Sequence, residues 1–185
     1  MGDNMILGEL IGKIREFWML VFCDKKEITT MSTVDVYGEV DSVDFAIYLE
    51  KKALEKGKKP NVTQIQKWLY VCYGLYLFVD KKQLFTERPK AWDFGPVFPR
   101  THSKQKKNGD TLQSLISSIN TREFEKYDDL IEATLKLFGD WTASELVAWT
   151  HKEGSAWDKK YNIMDEKYSS MDNGDIILDF KRLVS

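Results

Sequence analysis

The sequence predicts a mainly α protein: a compact bundle of about six or seven helices carrying a small β-hairpin or extended segment around 84–99. Three observations predict it. Apolar residues recur at three- and four-residue intervals along most of the chain, as they do on one face of a helix. Two helix-start pairs are written into the sequence, Asn61 with Gln64 and Thr142 with Glu145, each spaced so that the first side chain meets a free backbone amide and the second reaches back. Three of the four prolines, Pro89, Pro96 and Pro99, fall within eleven residues, where a regular helix cannot run.

Residues 1–30 are expected to form an N-terminal extension ahead of a domain spanning 31–185. Ile6, Leu7, Leu10, Ile11, Ile14, Phe17, Trp18 and Val21 mark an amphipathic helix there, weakened by Gly8 and Gly12. Such a stripe either docks on the domain or recognises a partner or a second copy, because an apolar face left in water is costly. Met31 is an alternative start.

The domain's first helix is expected over 42–56, with Ser42 accepting the first free amides and Gly57 supplying a left-handed stop. The next, over 61–79, should be central: Ile65, Trp68, Leu69, Cys72, Tyr76 and Val79 line one face behind the Asn61–Gln64 pair. The pieces Leu84-Phe85, Ala91-Trp92 and Val97-Phe98, separated by prolines, read as a hairpin or as extended segments laid across helices. Residues 103–108 read as a polar, lysine-rich loop. Helical spacing resumes with Leu112, Leu115, Ile116 and Ile119 behind Asp110, then runs through Leu130, Ile131, Leu135 and Phe138 to a stop at Gly139. A further helix opens at Thr142, with Trp141 placed to staple onto Leu146. Short helices over 155–161 and 175–183 complete the series.

With 185 residues and 43% hydrophobic content the chain can bury one sizeable core, not two. Its 27 basic and 29 acidic residues nearly cancel, to a net charge of -2, which argues against neutralising phosphates as its main task. Lysine clusters at 51–52, 56–59 and 104–107 alternate with acids, as on solvated faces, so nucleic acid is not the expected partner. Cys23 and Cys72 are too few for a disulfide framework and suit a reducing compartment. The longest apolar run, 17–23, is far short of the roughly 20 residues a spanning helix needs. A cytoplasmic protein without membrane attachment is the expectation.

Catalytic motifs are missing one after another. His102 and His151 are the only histidines, with no cysteine near either and no metal-ligand spacing, so no metal is expected. The glycine loops that cradle phosphates are absent, and Gly95-Pro96 offers a turn rather than an anion nest, so no cofactor is expected. Cys72 shares a helical face with Trp68 and Leu69, which reads as a buried, inert thiol. No catalytic residue is assigned, and the chain is not expected to be an enzyme.

One pattern does stand out. Gln66-Lys67-Trp68-Leu69-Tyr70, then Leu84-Phe85, then Ala91-Trp92-Asp93-Phe94-Gly95-Pro96-Val97 occur in the order and spacing of a helix, an apolar pair and a proline turn. Leu146, Thr150-His151, Glu153 and Trp157 follow as a second block. Together, over about 42–183, they resemble the Panacea domain, a family that includes SocA-like antitoxins and phage-associated proteins of the GepA type. The chain departs from the family pattern at Trp68, where a leucine is customary, at Thr101-His102 after the proline turn, and at Ser155-Ala156 before Trp157.

The resemblance implies a helical antitoxin that neutralises a cognate protein toxin, encoded by a neighbouring gene, by binding it directly. Its alternatives are an adaptor that delivers a toxin to a cytosolic protease, or a phage-encoded protein that interferes with host defence. It marks Lys67, Tyr70, Trp92, Asp93, Phe94, Gly95, Pro96, His151 and Trp157 as signature or partner-binding residues. Tryptophan in a turn serves as a packing anchor as readily as an interface anchor, so both roles stay open for Trp92 and its neighbours.

Overall fold

The computed structural model describes residues 38–184, so the amphipathic stripe expected over 1–30 lies outside the described residues. Among them are seven α-helical segments: α1 (Ser42–Glu55), α2 (Val62–Asp80), α3 (Pro99–Lys107), α4 (Asp128–Phe138), α5 (Ala143–Thr150), the single turn α6 (Ala156–Asp158) and α7 (Asn173–Val184). Strands β1 (Lys90–Trp92) and β2 (Gly95–Val97) form an antiparallel hairpin in which Ala91 faces Pro96 and Trp92 faces Gly95. The mainly α bundle with a small hairpin is therefore what the molecule adopts.

Helix α2 is the hub. It touches α1, α3, α4, α5, α7 and β2, and every residue from Ile65 through Leu75 is buried. A helix packed on all sides needs no polar face over its middle, and here even Gln66 and Lys67 are inside. Its start is the Asn61–Gln64 capping box, both hydrogen bonds present, and it stops on Lys81 in the left-handed conformation. Gly74 lets α7 approach: a Cβ there would lie 1.9 Å from the Phe180 ring. Gly74→Ala is accordingly expected to cost about 2–3 kcal/mol through overpacking, read as a lower urea midpoint.

Several boundaries depart from the sequence expectation, each for a physical reason. The cap of α1 is Asp41, not Ser42: the Asp41 carboxylate accepts from the Val43 and Asp44 amides, while the buried Ser42 hydroxyl faces Glu87 and accepts from Thr101. Residues 103–108, expected as a loop, lie largely within α3. Pro99 occupies the first turn of that helix, where no amide is required, and its buried side is formed by Thr101 and Gln105 rather than by apolar residues. The segment Gln113–Ser118, expected as an α-helix, is 3-10, as is Thr121–Tyr127 after it. The loop ahead of it is tied to α1 by buried Glu50, which accepts from the Leu112 amide and the Thr111 hydroxyl. Beyond α6 the chain continues as a π-helical turn, Lys159–Ile163.

The Thr142–Glu145 capping box forms as expected, and Gly57 takes its left-handed turn at φ 73°. Gly139 ends α4 with an ordinary helical φ of -67°. The core unites Phe45, Trp68, Tyr73, Phe85, Phe98, Phe138 and Phe180, all essentially inaccessible. Lysines of the basic clusters pair with acids at the surface, Lys52 with Asp128, Lys56 with Glu132 and Lys58 with Asp140. Such exposed pairs contribute little to stability.

Candidate protein-interaction site

The hairpin lies across the first half of α2, and two consecutive α2 side chains hold it. The Gln66 carbonyl oxygen accepts from the Phe98 amide at 2.8 Å while its amide nitrogen donates to Gln105 of α3 at 2.9 Å. Lys67, 1% exposed, donates from Nζ to the Pro96 carbonyl at 3.0 Å. Burial lowers its pKa from 10.5 to about 7. The strand passes so close that only glycine fits at 95: with φ at +94°, a Cβ would lie 2.6 Å from Thr150 Oγ1 and 2.8 Å from Lys67 Cε.

A stack of rings also props the hairpin. The His151 ring lies flat on Trp157, centroids 3.6 Å apart, and Trp157 on Tyr161 at 4.6 Å. The Trp157 indole donates to the Trp92 carbonyl at 2.8 Å. Asp93 in the turn accepts from both the Tyr161 and Tyr168 hydroxyls, at 2.6 and 2.8 Å, and those bonds hold its carboxyl below the usual range. The segment after the π-helical turn adds backbone bonds to β1, Ala91 amide to Ser169 carbonyl and Tyr168 amide to Ala91 carbonyl. Trp92 packs edge-on against His102 and Tyr168.

Held in this way, the turn exposes Phe94 at 72%. Ile163, Met164 and Tyr168, on the elements that brace it, are also exposed, at 69, 53 and 52%. Large apolar side chains standing in water on a braced support are unusual on a surface that has nothing to bind.

Of the nine signature residues, eight gather here: Lys67, Trp92, Asp93, Phe94, Gly95, Pro96, His151 and Trp157. Lys67, Gly95, Pro96 and Trp157 are buried and build the support, whereas Asp93 and Phe94 reach the surface. Tyr70 does not join them. It sits a turn further along α2 in the core, packed on Trp149 and Phe180, and burial raises its phenol pKa well above the ordinary value. Sequence reasoning missed Tyr161, Tyr168, Ile163 and Met164, which lie in a polar stretch without periodic signal.

Cys72 is buried, near the Thr134 hydroxyl at 3.2 Å, and burial pushes its thiol up to about 12. Among the described residues no group of three or more His, Cys, Asp and Glu is placed to hold a metal ion, and no helix is long and apolar enough to cross a membrane. A groove bordered by Glu39, Asp41, Asp44, Arg122 and Tyr127 contains none of the signature residues.

Comparison with known proteins gives a match of residues 65–158 to the family described as "Antitoxin SocA-like, Panacea domain". The matched stretch begins in α2 and ends with α6, so it contains the hairpin, both His151 and Trp157, and the Lys67 support. The curated protein "Antitoxin SocA" of Caulobacter vibrioides (strain NA1000 / CB15N) is 30% identical over 105 residues, covering 51% of this chain. The aligned region spans 56% of that relative's length. No solved structure matches.

Proposed function

The chain belongs to the SocA-like antitoxin family of the Panacea domain, and on that premise we propose that it is the antitoxin of a toxin–antitoxin pair: a cytoplasmic protein that neutralises a protein toxin, encoded by a neighbouring gene, by binding it directly. The relative named as an antitoxin supports the role. The observation that carries the reading is the Phe94 turn, an apolar side chain 72% exposed on a hairpin fixed by Lys67 from behind and by Asp93, Tyr161 and Trp157 from the side.

A rigid aromatic anchor costs little entropy when it docks, because the backbone and the ring are already in place before the partner arrives. Anchors of this kind dominate interface energies. Asp93, with two tyrosine hydroxyls on one oxygen, sits beside the anchor as part of a polar rim. Neutralisation through such a face needs shape and apolar contact, and no reacting group.

The test is co-expression with the product of the adjacent reading frame, in cells with and without their cytosolic proteases. Direct neutralisation predicts rescue of growth in both and co-purification of the two chains. Phe94→Asp is expected to weaken binding by about 100-fold or more, the cost of removing a central anchor, while the unfolding free energy stays within about 0.5 kcal/mol because the ring is largely exposed. A harmless neighbour, or rescue by Phe94→Asp equal to the unchanged protein, overturns the reading. Rescue that disappears in protease-deficient cells while the toxin accumulates identifies an adaptor instead.

A further inference from the structure

Three basic groups lie behind the hairpin, and holding a partner through Phe94 makes no use of their charge. Lys67 comes from α2, with Nζ on the Pro96 carbonyl and the Thr150 hydroxyl alongside. His102 comes from α3 and meets the Trp92 ring at 5.2 Å. His151 follows α5 and is stacked on Trp157, and its buried Nε2 has no hydrogen-bond partner among the described residues. Lys67 is near enough to both histidines to act on their charge.

The acids near them are committed elsewhere. Asp158 is the carboxylate that His151 senses, yet its oxygens accept from the Gly154 amide and the Asn162 side chain. His102 senses Lys106 and Asp110, which pair with each other at 2.9 Å. Asp93 is held by two tyrosines, and Asp179, beside Tyr70 on the α7 side, accepts from the Ala156 amide. No carboxylate among the described residues hydrogen-bonds Lys67, His102 or His151. A proton taken up by any of the three therefore places a charge behind the hairpin with no bonded counter-ion.

We propose that the Phe94 hairpin is a proton-controlled docking element: proton uptake by Lys67, His102 and His151 loosens it from α2 and withdraws the face it offers, so that the protein holds its partner more weakly in acid. The proposal rests on the Phe94 turn being the docking element. Linkage sets the direction. With the hairpin docked, burial depresses the Lys67 pKa from 10.5 to about 7, and burial, followed by neighbouring lysines, depresses both histidines from 6.5. With the hairpin lifted, water restores the ordinary affinities, so the lifted form binds more protons. Falling pH then favours lifting in two limbs, one between 10.5 and about 7 from Lys67 and one below 6.5 from the histidines.

The experiment is hydrogen exchange at the Trp92, Gly95 and Val97 amides from about pH 9 to about pH 5.5, corrected for intrinsic exchange, so that it reads the hairpin's opening equilibrium. Opening is expected to rise at least about 10-fold across the upper limb and to rise further across the lower, with amides of α1 and α4 following neither. Lys67→Met should abolish the upper limb and keep the lower. His102→Gln combined with His151→Phe, which retains a ring on Trp157, should do the reverse. Opening that is constant with pH in the unchanged protein, or a Lys67→Met protein that follows it through the upper limb, overturns the proposal.

Affinity for the product of the adjacent reading frame, measured over the same range, is the second readout and is expected to fall with pH in step with opening. Amides that respond while affinity stays constant overturn the turn as docking element, and with it the withdrawal of the partner, but leave the proton sensitivity of the hairpin standing.

Discussion

Trp157→Ala is expected to lower the unfolding free energy by about 4 kcal/mol, in the range of buried tryptophan truncations, and to cut partner binding as deeply as the loss of Phe94 itself. The side chain is 5% exposed and is the middle ring of a three-ring stack, 3.6 Å from His151 and 4.6 Å from Tyr161. Its removal opens a cavity between the end of α5 and the π-helical turn, and it leaves the Trp92 carbonyl without the indole donor. Tyr161, no longer stacked, then loses the position from which it bonds Asp93, so the turn is freed on one side. Trp157→Phe separates the two contributions: it keeps a ring in the stack and forfeits the hydrogen bond, for a cost of about 1–3 kcal/mol. Urea unfolding measures both. Equal stability of the alanine and phenylalanine variants would mean that the bond to Trp92, not the stack, secures the hairpin.

The same region shows how far a sequence discloses its own structure. The capping boxes at Asn61–Gln64 and Thr142–Glu145 are local devices, complete within four residues, and both form as written. Helix α3 is not local in this sense. Its buried side is Thr101 and Gln105, polar residues hydrogen-bonded to Ser42 and Gln66 from other helices, so no apolar period announces it. The converse holds at Gln113–Ser118, where Leu115 and Ile116 have helical spacing but none of the six residues is fully buried. Leu115 and Ile116 pack on the core only in part, and the spacing yields a 3-10 segment, because packing rather than propensity sustains most short α-helices.

The proposed docking face divides along the same line. Trp92, Gly95, Pro96 and Trp157 are legible through the resemblance to the Panacea signature. Tyr161 and Tyr168 are not, because they meet Asp93 across 68 and 75 residues of chain, and only tertiary closure brings them there. Phe94 is legible as a residue but not as an exposed one: the sequence shows an apolar side chain in a turn, and only the fold shows that it stands largely in water.

Lys67→Met should produce a change of sign with pH. Holding the amine in the core depresses its pKa from 10.5 to about 7, which corresponds to on the order of 5 kcal/mol of lost stability when the unfolded chain carries the charge in water. The sign follows from proton counts. Between about 7 and 10.5 the unfolded chain binds the proton and the folded protein does not, so stability rises with pH; below about 7 both bind it and the full penalty persists. Methionine removes that penalty and also the hydrogen bond to the Pro96 carbonyl, whose loss in a buried site costs about 1–3 kcal/mol. At pH 7 the variant is therefore expected to be more stable by about 2–4 kcal/mol, and near pH 10.5, where the penalty has vanished, less stable by about 1–3 kcal/mol. Urea midpoints at the two pH values should cross. Parallel midpoints would mean that the amine reaches water in the folded protein. A crossing would mean that the fold carries a buried amine at a cost to its own stability, as expected of a residue whose use lies in holding, and letting go of, the hairpin above it.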